Sequence, residues 1–68
     1  MPISISVNGE QRLAAEGQTI LELLGSLQID PARVAVELDR RIVKRPRWGE
    51  TVVAAGAEIE IVQFVGGG

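Results

Sequence analysis

At 68 residues, with 7 basic and 9 acidic side chains and a formal net charge of −2, the chain is one small domain with a thin core, near the size at which folding without staples is still feasible. It has no Cys and no His, which removes disulfides, thiolate metal sites, a nucleophilic thiol and the commonest general base and metal ligand, so neither a bound metal nor a catalytic activity of its own is expected. The near-neutral balance points to neither nucleic acid nor a membrane surface as partner; with no apolar run of about eighteen residues and no basic-then-apolar leader at the start, the expected location is the cytoplasm.

Ile3, Ile5 and Val7 alternate with Ser4 and Ser6, the pattern of a half-buried strand with β-branched residues inward. Asn8-Gly9 favours a type I′ turn, so the stretch from Glu10 to Leu13 is predicted to return antiparallel as a hairpin. After a loop over Ala15 to Gln18, Thr19 and Glu22 have the spacing of a capping box. A helix is predicted from there to about Gln28, with Ile20, Leu23, Leu24 and Leu27 on one apolar stripe and Gly25 as its weak point, costing about 1 kcal/mol relative to Ala.

Val34, Val36 and Leu38 alternate with Ala35 and Glu37, giving a third strand. Asp39-Arg40 makes a tight connection to a short strand around Arg41 to Val43. Pro46, lacking an N–H, ends regular pairing, and Trp48-Gly49 is expected to be an irregular turn. Thr51 to Gly56 leads into the last strand, where Ile59, Ile61 and Val65 share one parity and Glu58, Glu60, Val62 and Phe64 the other.

This order predicts an α+β fold: a mixed sheet of four to five strands with one helix packed across one face, the arrangement of a β-grasp, with the first and last strands side by side and parallel at the sheet centre. Residues 1–65 form the domain and residues 66–68 a flexible glycine tail, since Gly66, Gly67 and Gly68 have nothing to pack. If Ile59 and Ile61 face the core, Val62 and Phe64 emerge on the wet face. Together with Val65 they are the expected partner-binding residues, an apolar patch rimmed by Glu58 and Glu60. Those two carboxylates share one wet environment and lack the contrast that a general acid and base require. Arg40, Arg41, Lys44, Arg45 and Arg47 gather five of the seven basic residues; they read best as a solvated strand edge that discourages edge-to-edge pairing, with steering of a partner or a phosphate contact as the rival reading.

The last strand, Ile59-Glu60-Ile61-Val62-Gln63-Phe64-Val65, runs directly into Gly66-Gly67-Gly68. With Val34-Ala35-Val36-Glu37, Ile42-Val43 and the Arg45/Trp48 stretch, it resembles the sulfur carrier proteins of thiamine biosynthesis, bacterial relatives of ubiquitin, over essentially the whole chain. Asp39, where an Asn-like turn residue is common, and Ala57, where an acid is common, depart from that pattern. The resemblance implies a protein co-substrate and not an enzyme. An ubiquitin-activating-like adenylating enzyme would use ATP to make an acyl-adenylate at Gly68, and a persulfide sulfur donor would convert it to a thiocarboxylate. A thiazole synthase would then receive the sulfur. No cofactor would be bound by the chain itself. Two alternatives stand beside it: the small sulfur-carrying subunit of molybdopterin synthase, which shares fold, diglycine and activation chemistry but is usually longer and often has prolines before the tail, and a ubiquitin-like protein modifier or plain binding module. Lys44 is the only lysine, which leaves little scope for polymeric chains.

Overall fold

Asn8 and Gly9 both take positive φ, 51° and 84°, the handedness that a two-residue hairpin requires. They join strand β1 (Ile3–Val7) to strand β2 (Glu10–Ala14), with Ile3 opposite Ala14 and Val7 opposite Glu10. The same device recurs where Asp39 (φ 51°) and Arg40 (φ 70°) connect β3 (Val34–Leu38) to β4 (Arg41–Val43). The Asp39 departure from the family pattern therefore leaves the turn intact. In the computed structural model, which describes residues 1–64, these strands and β5 (Glu58–Gln63) form one mixed sheet in the order β2-β1-β5-β3-β4. The first and last strands are parallel neighbours, with Ser6 opposite Glu58 and Val7 opposite Ile59, and β5 pairs antiparallel with β3 on its other side. This is the expected β-grasp.

Helix α1 (Ile20–Ser26) covers one sheet face through Ile20, Leu23 and Leu24. At seven residues it is too short to persist alone, and its ends are held by specific bonds. The Thr19 hydroxyl accepts from the Glu22 N–H (3.2 Å) and the Glu22 carboxylate accepts from the Thr19 N–H (2.9 Å), the expected capping box. The next free amides, those of Ile20 and Leu21, donate to the carbonyls of Thr51 (3.0 Å) and Trp48 (3.2 Å). The segment after β4 thus satisfies donors that the helix itself cannot.

The helix closes earlier than the predicted Gln28. Leu27 is its C-cap, Gln28 turns left-handed at φ 60°, and the amides of Ile29 and Gln28 donate back to the carbonyls of Leu24 (2.9 Å) and Gly25 (3.1 Å). That is a Schellman closure with Gln in the position where Gly is usual, so the sequence carries no glycine signal for it. Leu27, expected on the apolar stripe, ends up only half-buried.

Trp48 lies in the expected turn, directly after a one-turn 3-10 helix (Arg45–Arg47), but its side chain is only 2 % exposed, the largest fully buried side chain among the described residues. Its indole N–H donates to the Val43 carbonyl at 2.7 Å, so the one polar atom of the ring keeps a partner on burial. Trp48 and Val53 from this segment join Ile5, Val7, Ile20, Leu23, Leu24, Val34, Val36 and Ile59 in the core. Ala57, the second departure, is buried there too; an acid at this spot would meet apolar neighbours, which a small Ala does not disturb.

Trp48→Ala should therefore cost about 3–5 kcal/mol, comparable to the whole stability of a domain this size, roughly 3–10 kcal/mol. Trp48→Phe, which keeps a ring but loses the indole bond, should cost less. Urea unfolding measures both, and a Trp48→Ala midpoint close to wild type would show that the core does not depend on this side chain.

Candidate functional site

β5 is the sheet's central strand, and its two faces differ as alternation requires. Ile59 is 1 % exposed, whereas Glu58 and Glu60 are open to solvent. Val62 and Phe64, 55 % and 57 % exposed, emerge near its end on the wet face that the alternation predicts. Ile61, expected in the core, is half-buried, because the helix has already closed over Ile59 and only a groove of about 440 Å³, lined by Leu27, Ile29, Val34 and Gln63 among others, flanks it.

Pairing with β3 fixes what surrounds the patch. Val62 is opposite Ala35 and Glu60 opposite Glu37, and the Phe64 N–H donates to the Arg33 carbonyl at 2.8 Å, so the ladder continues one step past the strand's end. Ile42 of β4 lies opposite Glu37 and is exposed. It extends the apolar surface beyond the residues read from the sequence. The alternation was available to find it, since Val43 facing inward sends Ile42 outward. Opposed residues of neighbouring strands share a face, so Val62, Phe64, Ala35 and Ile42 lie on the same face as Glu37, Glu58 and Glu60, with Glu37 standing between Ile42 and Glu60. Val65, Gly66, Gly67 and Gly68, the remaining expected site residues, lie outside the described residues.

Glu37 and Glu60 are directly opposed like charges, an unfavourable pairing, and Glu58 adds a third carboxylate on the same face. Arg40 lies 3.9 Å from Glu58, too exposed a contact to offset much. Among the described residues no group of three or more acidic, His or Cys side chains is placed to hold a metal ion. The basic stretch spreads along the outer edge: Arg47 pairs with Glu50 at 3.3 Å, and the Arg45 guanidinium lies 6.0 Å from the centre of the Trp48 ring. Arg41 and Lys44 are exposed. No helix among the described residues is long and apolar enough to cross a membrane.

A five-stranded mixed sheet gripping one helix, its central strand followed in the sequence by a run of glycines, defines a ubiquitin-like β-grasp protein. Within that class the chain belongs to the ThiS family, whose model matches residues 5–68. It is 33% identical over 66 residues to the sulfur carrier protein ThiS of Escherichia coli K12, covering 97% of this chain and 100% of that one. A crystal structure of the thiamine biosynthesis protein ThiS from Geobacter metallireducens superposes with a TM-score of 0.85 at 32% identity, covering 97% of this chain and all of that one. The thiazole synthase of Paramagnetospirillum magneticum is 38% identical over 66 residues; the match takes in 97% of this chain, which spans only a fifth (20%) of that relative's length.

The division of β5 into a core side and a wet side has a direct consequence for stability. Val62→Ala and Phe64→Ala should change stability by no more than about 0.5 kcal/mol, as surface substitutions do. Ile59→Ala should cost about 2–5 kcal/mol. Melting curves of the three variants decide it: a Phe64→Ala protein that melts as early as Ile59→Ala would make Phe64 part of the core.

Proposed function

We propose that this chain is a sulfur carrier for thiazole formation in thiamine biosynthesis, acting as a co-substrate in the cytoplasm, with Gly68 as the site of adenylation and thiocarboxylation. The observation that carries this reading is the match of nearly the whole chain to sulfur carriers of thiamine biosynthesis, joined to a central strand that runs straight into Gly66-Gly67-Gly68. The thiamine names of the relatives favour it over the molybdopterin synthase subunit and over a protein modifier.

The chemistry follows from what the chain lacks. A carboxylate is a poor electrophile, so a ubiquitin-activating-like adenylating enzyme first joins Gly68 to the α-phosphate of ATP, releasing pyrophosphate. The terminal sulfur of a persulfide on a donor protein attacks the acyl carbon and expels AMP, forming an acyl disulfide. A thiol then reduces that bond, leaving the thiocarboxylate on Gly68 and a disulfide elsewhere. With no Cys, the chain has no side chain to carry persulfide sulfur, which leaves its terminal glycine for the task. Gly66 and Gly67, without Cβ atoms, suit a narrow channel into a partner's active site.

Docking rests on the outward side of β5. Val62 and Phe64 supply the apolar anchor, Val65 is the proposed further contact on the way to the glycines, and a partner carrying basic groups around an apolar depression would relieve the opposed Glu37 and Glu60. A thiazole synthase is the receiving partner on this reading, since relatives containing a segment like this chain are thiazole synthases.

With the adenylating enzyme, ATP, a persulfide donor and a thiol, intact-mass spectrometry should find the protein heavier by one oxygen-to-sulfur exchange, mapping to Gly68. Deleting Gly68, or adding a residue after it, should abolish the gain. Modification mapping to Lys44 or another side chain would overturn the carrier reading.

A further inference from the structure

The parallel ladder between β1 and β5 advances along β5 in steps of two residues. The Ser6 amide donates to the Ala57 carbonyl (2.9 Å) and the Asn8 amide to the Ile59 carbonyl (2.8 Å). There β1 ends, because Asn8 and Gly9 turn the chain back into β2. The next rung, at Ile61, is supplied by a side chain. Asn8 Oδ1 accepts from the Ile61 N–H at 2.7 Å, and Asn8 Nδ2 donates to the Ile61 carbonyl at 3.2 Å. A carboxamide has the same donor and acceptor as a peptide group, so Asn8 extends β1 by one rung without any further backbone.

We propose that Asn8 is a positioning residue for sulfur loading: its side chain clasps β5 at Ile61 and holds the docking residues Val62 and Phe64 in the orientation the adenylating enzyme receives. This rests on the sulfur-carrier reading. Beyond Ile59, β5 has β3 on one side and, on the other, a groove where a strand would otherwise be. Without the clasp, both β1-facing groups of Ile61 lose their protein partners, and the strand end is tied along one edge alone. Docking must then order that segment, and the ordering is drawn from binding free energy.

Asn8 also serves the turn, and the choice of variant separates the two roles. Asn8→Gly tolerates the left-handed φ at least as well as Asn does but removes the carboxamide. Asn8→Asp keeps the turn and the acceptor for the Ile61 amide but places a carboxylate oxygen against the Ile61 carbonyl. Hydrogen exchange followed by NMR should show the Ile61 amide exchanging about tenfold faster in Asn8→Gly, with the Val36 and Ile59 amides unchanged, and a smaller increase in Asn8→Asp. In adenylation by the cognate enzyme, Asn8→Gly should raise KM for the carrier by about tenfold and leave kcat within about twofold. Wild-type exchange at Ile61 in Asn8→Gly, or faster exchange with KM unmoved, overturns the proposal. Should Asn8→Gly fail to fold, Asn8→Asp decides by the same two readouts. If wild-type protein itself is not adenylated, the carrier reading fails, while the Ile61 amide still reports on its own whether the clasp holds the strand.

Discussion

A strand at the centre of a sheet is held along both edges, and the fold is arranged to give β5 that position. On one side β1 runs parallel to it and on the other β3 runs antiparallel. Parallel neighbours cannot be joined by a hairpin, so the helix, β3, β4 and the Trp48 segment all lie between β1 and β5 in the chain. They return as the cover and flank of the strand they delay. Two left-handed turn residues then brace β5 diagonally. Asn8 bonds Ile61 from the β1 side, while Asp39 bonds Glu58 from the β3 side, its amide donating to the Glu58 carbonyl (2.8 Å) and its carboxylate accepting from the Glu58 N–H (3.0 Å). Each of these residues makes a turn for its own hairpin and a rung for the central strand.

Much of this was legible in the sequence because it depends on short-range pattern. Alternation fixed the faces of Ile5, Val36 and Ile59; Asn8-Gly9 marked the first hairpin; and Thr19 with Glu22 marked the helix start. The outward placement of Val62 and Phe64 followed from Ile59 by parity alone. What escaped depends on contacts that pattern cannot encode. Trp48 sits between Pro46 and Gly49, two residues that signal a turn, and only the carbonyl of Val43 and the space beneath the helix make it a core residue. Gln28 closes the helix without the glycine that normally announces a Schellman motif. The half-burial of Ile61 and its bonds to Asn8 join residues 53 positions apart, beyond the reach of any local signal. The site's apolar patch was therefore readable, apart from Ile42, but the means by which its strand is held was not.

The two faces of the sheet divide the work of the molecule. Burial is confined to the helix side, where the core residues lie, and no polar or charged residue among those described is buried. The opposite face contributes little to folding and retains an arrangement that folding alone does not favour: exposed Val62 and Phe64 beside opposed carboxylates at Glu37 and Glu60. Each feature is mildly unfavourable in isolation, through exposed apolar surface or like-charge repulsion. Both would be relieved together wherever an apolar surface bearing positive charge covered this face.

The basic stretch beside β4 is accounted for by the sheet's edge. β4 is three residues long and outermost in the strand order, so its unpaired backbone groups are the kind that recruit strands from other chains. Arg40, Arg41, Lys44 and Arg45 are exposed around it, and Pro46 follows. Charge and a missing N–H oppose edge-to-edge pairing at the place where the sheet would otherwise extend. A phosphate site would need these cations free of other neighbours, whereas Arg40 lies beside Glu58, Arg47 beside Glu50 and Arg45 near the Trp48 ring. The acidic, apolar end of β5, with exposed Val62 and Phe64, and the basic edge at β4 therefore stand apart on the sheet, separated by β3.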